Sequence, residues 1–171
     1  MKPYVCVVGA VNLDICGRPE KKLIFRDSNP GAVTLTPGGV GRNIAHDLCL
    51  LGLDVSLVSA VGDDSNGEFL LDRCRGLGMD VSRVRVVPGA RSSSYLYITD
   101  ERGDMQLAVN DMAVCNEISP EYLESVLPGI QAGALVLDTN LPVESLEFIC
   151  RSSCIPLYAD PVSSVKAMKL H

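Results

Sequence analysis

Two polar clusters in this sequence are of the kind that does chemistry. The first, Asn12-Leu13-Asp14, follows an apolar run from Tyr4 to Val8 that ends at Gly9. A carboxylate there can accept hydrogen bonds from two hydroxyl groups at once; the alternative for Asp14 is a turn or helix cap. The second, Pro37-Gly38-Gly39-Val40-Gly41-Arg42-Asn43, leads into a repeat in which Ile44, Leu48 and Leu51 share a helical face. Glycines at a helix N-terminus let backbone N–H groups approach a ligand closely, and the helix end favours oxygen-rich or anionic groups. The same glycines could simply make a tight loop. No Gly-Lys-Ser/Thr follows them, so this is not a Walker A phosphate loop. A nicotinamide-dependent oxidoreductase would carry Gly-x-Gly-x-x-Gly directly after its first strand, where this chain reads Gly9-Ala10-Val11-Asn12-Leu13-Asp14.

Strands and helices must hold these clusters. Tyr4–Val8 and Asp54–Val61 read as buried parallel strands. A helix from Ile44 closes at Gly52, and Ser65 caps another over 67–77. Strands at 84–87, 134–137 and 155–159 alternate with helices opened by Ser119-Pro120, at 143–151, and from Ser163. Strand alternating with helix signals a mostly parallel sheet with flanking helices. Residues 92–99 and 105–109 alternate around the turn 100–104, which predicts a hairpin. Tyr95 and Tyr97 share one side of it, as sheet packing or as a stacking platform. Residues 18–37 read as an exposed loop with small strands. Asn140 fits a ligand contact at a strand's carboxyl end or a turn before Pro142. Lys166 fits a contact to a phosphate or base oxygen, or a solvated helix lysine.

Composition narrows the classes. Apolar residues make up 47% of the 171 and charged residues 21%, as in a globular domain with a core. The net charge of −6, without a Lys/Arg cluster, argues against a nucleic-acid surface. The first apolar run is too short for a signal segment or a membrane span, so a cytoplasmic location is expected and no membrane partner. Seven cysteines without a Cys-x-x-Cys pair read as buried or half-buried free thiols, and His46 and His171 offer no metal cluster.

Spacing ties the motifs together. Gly38-Gly39-Val40-Gly41-Arg42-Asn43-Ile44-Ala45, six residues to Gly52 and nine more to Gly62 resemble the first signature of the ribokinase/PfkB family of carbohydrate kinases. Asn12-Leu13-Asp14 is similar to that family's sugar-binding segment, and Gly62-Asp63-Asp64-x-x-Gly67 to its second turn. The resemblance implies a ribokinase-like α/β fold across 1–171, with a small antiparallel β lid from segments about 16–37 and 88–112. It implies substrate contacts from Asn12, Asp14, Gly38, Gly39, Asn43, Asn140 and Lys166, with Arg42 as a surface or lid contact. Asp160-Pro161-Val162-Ser163-Ser164-Val165-Lys166 and Asn110-Asp111-Met112 look most like the pseudouridine kinases, which phosphorylate the ribose 5′-hydroxyl with ATP and Mg2+.

The family's second signature, similar to Asp-Thr-x-Gly-Ala-Gly-Asp, carries the anion hole and the catalytic base. Asp138-Thr139 continues as Asn-Leu-Pro, and no Gly-x-Gly-Asp occurs. The expectation is therefore an acceptor-binding half, with no catalytic residue and no metal ligand of its own, little activity alone, and the nucleotide half following residue 171. The alternative is a non-catalytic substrate-binding or dimerisation module, forming a homodimer through the lid.

Overall fold

A computed structural model describes residues 4–170. Five parallel strands form the main sheet: β1 (Tyr4–Val8), β4 (Asp54–Gly62), β5 (Val84–Val87), β8 (Ala134–Asp138) and β9 (Leu157–Asp160). Four more strands form a separate small sheet: β2 (Asn12–Pro19), β3 (Gly31–Gly38), β6 (Ser94–Thr99) and β7 (Met105–Asp111). The helices are α1 (Val40–Leu50), α2 (Ser65–Gly76), α3 (Pro120–Val126), α4 (Val143–Ser152) and α5 (Ser164–Ala167).

The main sheet runs β5-β4-β1-β8-β9. Its central strand is buried on both faces, as a crossover-covered strand must be. Val5 and Val7 point into one core with Ala45, Leu57 and Leu70, under α1 and α2. Cys6 and Val8 point into the other with Leu123, Leu137, Leu146 and Ile149, under α3 and α4. Each fully buried leucine there contributes about 1.5–3 kcal/mol. The chain builds outward from β1 to β4 and β5, then returns to lay β8 and β9 on the other side. That reversal puts a crevice beyond the carboxyl ends of β1 and β8, where open α/β sheets bind ligands.

The small sheet runs β3-β2-β6-β7. It is mixed, not purely antiparallel as expected: β2 pairs with β6 in parallel. A parallel pair needs a long crossover, and here the connection passes through β3, α1, β4, α2 and β5. Asn12-Leu13-Asp14, which follows β1, is itself the start of β2. Residues 31–38 form a full strand paired along its length with β2, leaving only the stretch between Pro19 and Gly31 as loop.

Local details also differ from expectation. α1 begins at Val40, ahead of its apolar repeat. The cap of α2 is Asp64, whose carboxylate accepts from the Gly67 N–H at 2.8 Å, not Ser65. Cys150 and Cys154 are exposed, since they sit at the outer end of α4. No helix of the described residues is long and apolar enough to cross a membrane.

Candidate functional site

Gly39 and Gly41 set the geometry of the crevice. Gly39 has φ 98°, a conformation that glycine adopts without penalty. A Cβ at Gly41 would lie 2.7 Å from Gly9 Cα, so only glycine lets the start of α1 touch the end of β1. A Cβ at Gly38 would strike the Asp14 carboxylate.

One buried side chain ties the crevice together. Asp138, at the carboxyl end of β8, has no solvent exposure. Its Oδ2 accepts from the N–H of Ala10 at 2.8 Å and of Gly41 at 2.7 Å, and its Oδ1 from the N–H of Asn140 at 2.8 Å. Burial pushes its carboxyl above the usual range, and these three bonds pull it back. Asp138 thus joins the ends of β1 and β8 to the first turn of α1. Sequence reasoning compared Asp138 only with a motif it does not match.

Above this floor lies an open cleft of about 310 Å³. Asn12, Asp14, Gly39, Asn43, Asn140 and Lys166 all border it. Gly38 does not, and stands behind Asp14. Asn12 is 5% exposed, and its Nδ2 donates to Asp14 Oδ1 at 2.6 Å, so it chiefly holds the carboxylate. Burial raises the Asp14 carboxyl, while the Asn12 bond and the Arg42 charge pull it down. Lys166 Nζ donates to Asn140 Oδ1, joining two of the expected site residues directly.

The small sheet supplies a wall that sequence reasoning only partly reached. Register places Asp14 beside Tyr95 and Tyr95 beside Asn110, one row across three strands on the cleft side. Side chains directly opposite share a face. Tyr95 packs against Tyr97 with ring centroids 5.6 Å apart and also lines the cleft. The signal was available in the alternation of β6, but choosing the row required the pairing register. Val162 completes the rim with φ 58°, a genuine outlier for a β-branched residue. The Asp160 carboxylate accepts from its N–H at 2.7 Å and holds that turn. Arg42, read as a surface or lid contact, lies in the first turn of α1, is 9% exposed and reaches the Pro37 carbonyl of β3 in the small sheet.

The cleft offers one carboxylate acceptor, the amides of Asn12, Asn43, Asn110 and Asn140, one ammonium and the backbone at the start of α1. That set matches a polyhydroxylated, uncharged ligand whose hydroxyls both donate and accept. Among the described residues, no group of three or more His, Cys, Asp or Glu side chains could hold a metal ion.

Comparison with known proteins agrees with this geometry. The pfkB family carbohydrate kinase profile matches residues 2–170. The pseudouridine kinase of Escherichia coli K12 is 43% identical over 171 residues, covering 99% of this chain and 55% of that protein. The chain therefore spans about half the length of that relative. A solved carbohydrate kinase from Agrobacterium tumefaciens superposes with TM-score 0.85 at 30% identity, covering 98% of this chain and 56% of that one. A ribokinase from Giardia lamblia, 18% identical, shares the fold with TM-score 0.79 over 96% of this chain and 52% of that one. With its switch-point crevice, glycine-led α1 and small sheet bearing Asp14, the chain has a ribokinase-like fold and belongs to the pfkB family of carbohydrate kinases.

Proposed function

We propose that this chain is the acceptor-binding half of an ATP-dependent kinase acting on a sugar or nucleoside hydroxyl, with the 5′-hydroxyl of pseudouridine as the preferred target. The observation that carries this is the convergence of Asp14, Asn43, Asn140 and Lys166 in one cleft at the switch point. Asp14 accepts from ribose hydroxyls, while the Gly39 backbone and the Asn43 amide donate to them. Asn140 and Lys166 face the base or the 5′ oxygen. Tyr95 offers a ring face to the base. The similarity to a pseudouridine kinase supports the nucleoside, since the shared segment covers this whole cleft. Seven free cysteines fit a reducing cytosol. The small sheet, with segments about 16–37 and 88–112, acts as the lid.

Kinases of this family generally use ATP and a divalent cation. The residues present do not fit that group: the sequence has no Gly-x-Gly-Asp, and among the described residues no cluster of carboxylates could hold a metal. Phosphoryl transfer depends on positioned charge around the moving group. We therefore expect the 171-residue chain to bind acceptor substrate without transferring phosphate. Calorimetric titration with pseudouridine, uridine and ribose tests this, alongside an assay for ADP release. The expected result is pseudouridine preferred to ribose by about tenfold or more, each tenfold being about 1.4 kcal/mol, with no nucleoside-dependent ADP. Equal affinity for pseudouridine and ribose would sink the nucleoside assignment.

A dimerisation role has its own support. Val33 and Leu35 on β3, Leu96 on β6 and Leu107 and Val109 on β7 share the small sheet's outer face and are 44–68% exposed. Ile24 and Phe25 extend this face beside a cleft of about 460 Å³. An apolar area this continuous marks a contact surface, and a second copy of the chain is the partner proposed. Light scattering after size exclusion should return a dimer that Leu107→Glu converts to monomer; a wild-type monomer at all concentrations counts against it.

A further inference from the structure

Arg42 is buried, yet its charged end reaches Asn43, which borders the acceptor cleft. Arg42 also lines a separate groove between α1 and α2 with Leu35, Phe69 and Leu77. Nη1 donates to Asn43 Oδ1 at 3.0 Å and lies 3.4 Å from the Pro37 carbonyl oxygen. Nε is buried without a hydrogen-bond partner. A guanidinium carries only donors, so it can meet only the carbonyl end of the Asn43 amide. The NH2 end is then turned away from Arg42. Asn43 is exposed and borders the cleft.

We infer that Arg42 is a positioning residue that locks the Asn43 amide with its carbonyl inward and its NH2 toward the acceptor substrate. The inference rests on the acceptor-site assignment above. Asp14 in the same cleft can only accept hydrogen bonds when ionised. A free asparagine could turn its own carbonyl toward the ligand and leave two acceptors competing for hydroxyl protons. A held asparagine supplies a fixed donor beside Asp14, so a pair of hydroxyls can give a proton to Asp14 and take one from Asn43. The Arg42 charge also lowers the Asp14 carboxyl, favouring the form that accepts. Preorganisation of this kind raises affinity by removing a rotamer choice from the binding step.

A double-mutant cycle on the 171-residue chain tests it, with pseudouridine titrated calorimetrically into wild type, Arg42→Met, Asn43→Ala and the double variant. Arg42→Met and Asn43→Ala are each expected to weaken binding by roughly tenfold, and the double variant no further than the worse single one. Losses that multiply, to roughly a hundredfold in the double variant, would show Arg42 acting independently of Asn43 and overturn the inference. Asn43→Ala binding as tightly as wild type overturns it too. Arg42→Lys keeps the charge and one donor and should restore most of the affinity. Thermal melts check folding, and Arg42→Gln runs the same cycle if the methionine variant is unfolded. A wild-type chain that binds neither pseudouridine nor ribose overturns the site assignment first, and this inference with it.

Discussion

Asp14→Ala should remove measurable acceptor binding while leaving the fold intact. The carboxylate accepts one bond in the free chain, from Asn12 at 2.6 Å, and keeps its remaining acceptor positions for the cleft. Hydrogen bonds to a charged group are worth about 1.5–3 kcal/mol each. Losing two of them weakens binding by about 100-fold or more. Stability should move little or rise. Burial holds the folded carboxyl above its value of 3.8 in an unfolded chain. A raised carboxyl favours the protonated fold below the unfolded value, and that contribution is lost as pH rises through the folded value. At neutral pH the ionised Asp14 is therefore a cost that binding offsets. The same elevation fixes the sign of the pH dependence: affinity is full at neutral pH and falls on acidification before an ordinary aspartate would protonate. Calorimetric titrations between about pH 4 and 7, with thermal melts of both proteins, check each part. A variant that binds pseudouridine like wild type removes Asp14 from the site.

The contrast between legible and illegible features has a physical basis. β1, β4 and β8 could be read because a strand covered by helices on both faces is apolar along its length. Ser119-Pro120 could be read as a helix start because a cap acts within one turn. The glycine run could be read as a close approach at the head of α1, because two backbones in contact tolerate no Cβ, although the apolar repeat placed the helix start four residues late. The row Asp14, Tyr95, Asn110 could not be read, since a long crossover separates β2 from the β6–β7 hairpin and only the register aligns them. The burial of Arg42 could not be read because residue type predicts exposure for arginine, while its burial in the first turn of α1 depends on what packs there. Asp138 was missed for a different reason. Its partners are main-chain N–H groups of residues distant in sequence, and backbone donors leave no mark in the residue types.

Asp138→Ala is the substitution expected to cost the most stability. It strands the N–H groups of Ala10 and Gly41 in a site without solvent, and loosens that of Asn140. Each unsatisfied buried donor costs about 1–3 kcal/mol, so the two buried ones amount to about 3 kcal/mol or more. Asp138→Asn separates the scaffold from the site. Its single carbonyl oxygen can serve Ala10 and Gly41, which keeps β1 and α1 joined. Its NH2 then faces the Asn140 N–H, donor against donor, and pushes away the loop that carries a cleft residue. The asparagine variant should therefore fold with a smaller loss, about 1–2 kcal/mol from one displaced donor, and still bind pseudouridine several-fold more weakly. Asp14 and Asp138 are both raised by burial, but they differ in what they leave behind. Removing Asp14 frees one asparagine amide, whereas removing Asp138 unties three main-chain groups, two of them buried away from solvent. Urea denaturation of the two Asp138 variants beside Asp14→Ala measures that difference. Equal stability of Asp138→Ala and wild type would mean that water or backbone movement satisfies those donors, and the crevice would then owe its shape to the glycines alone.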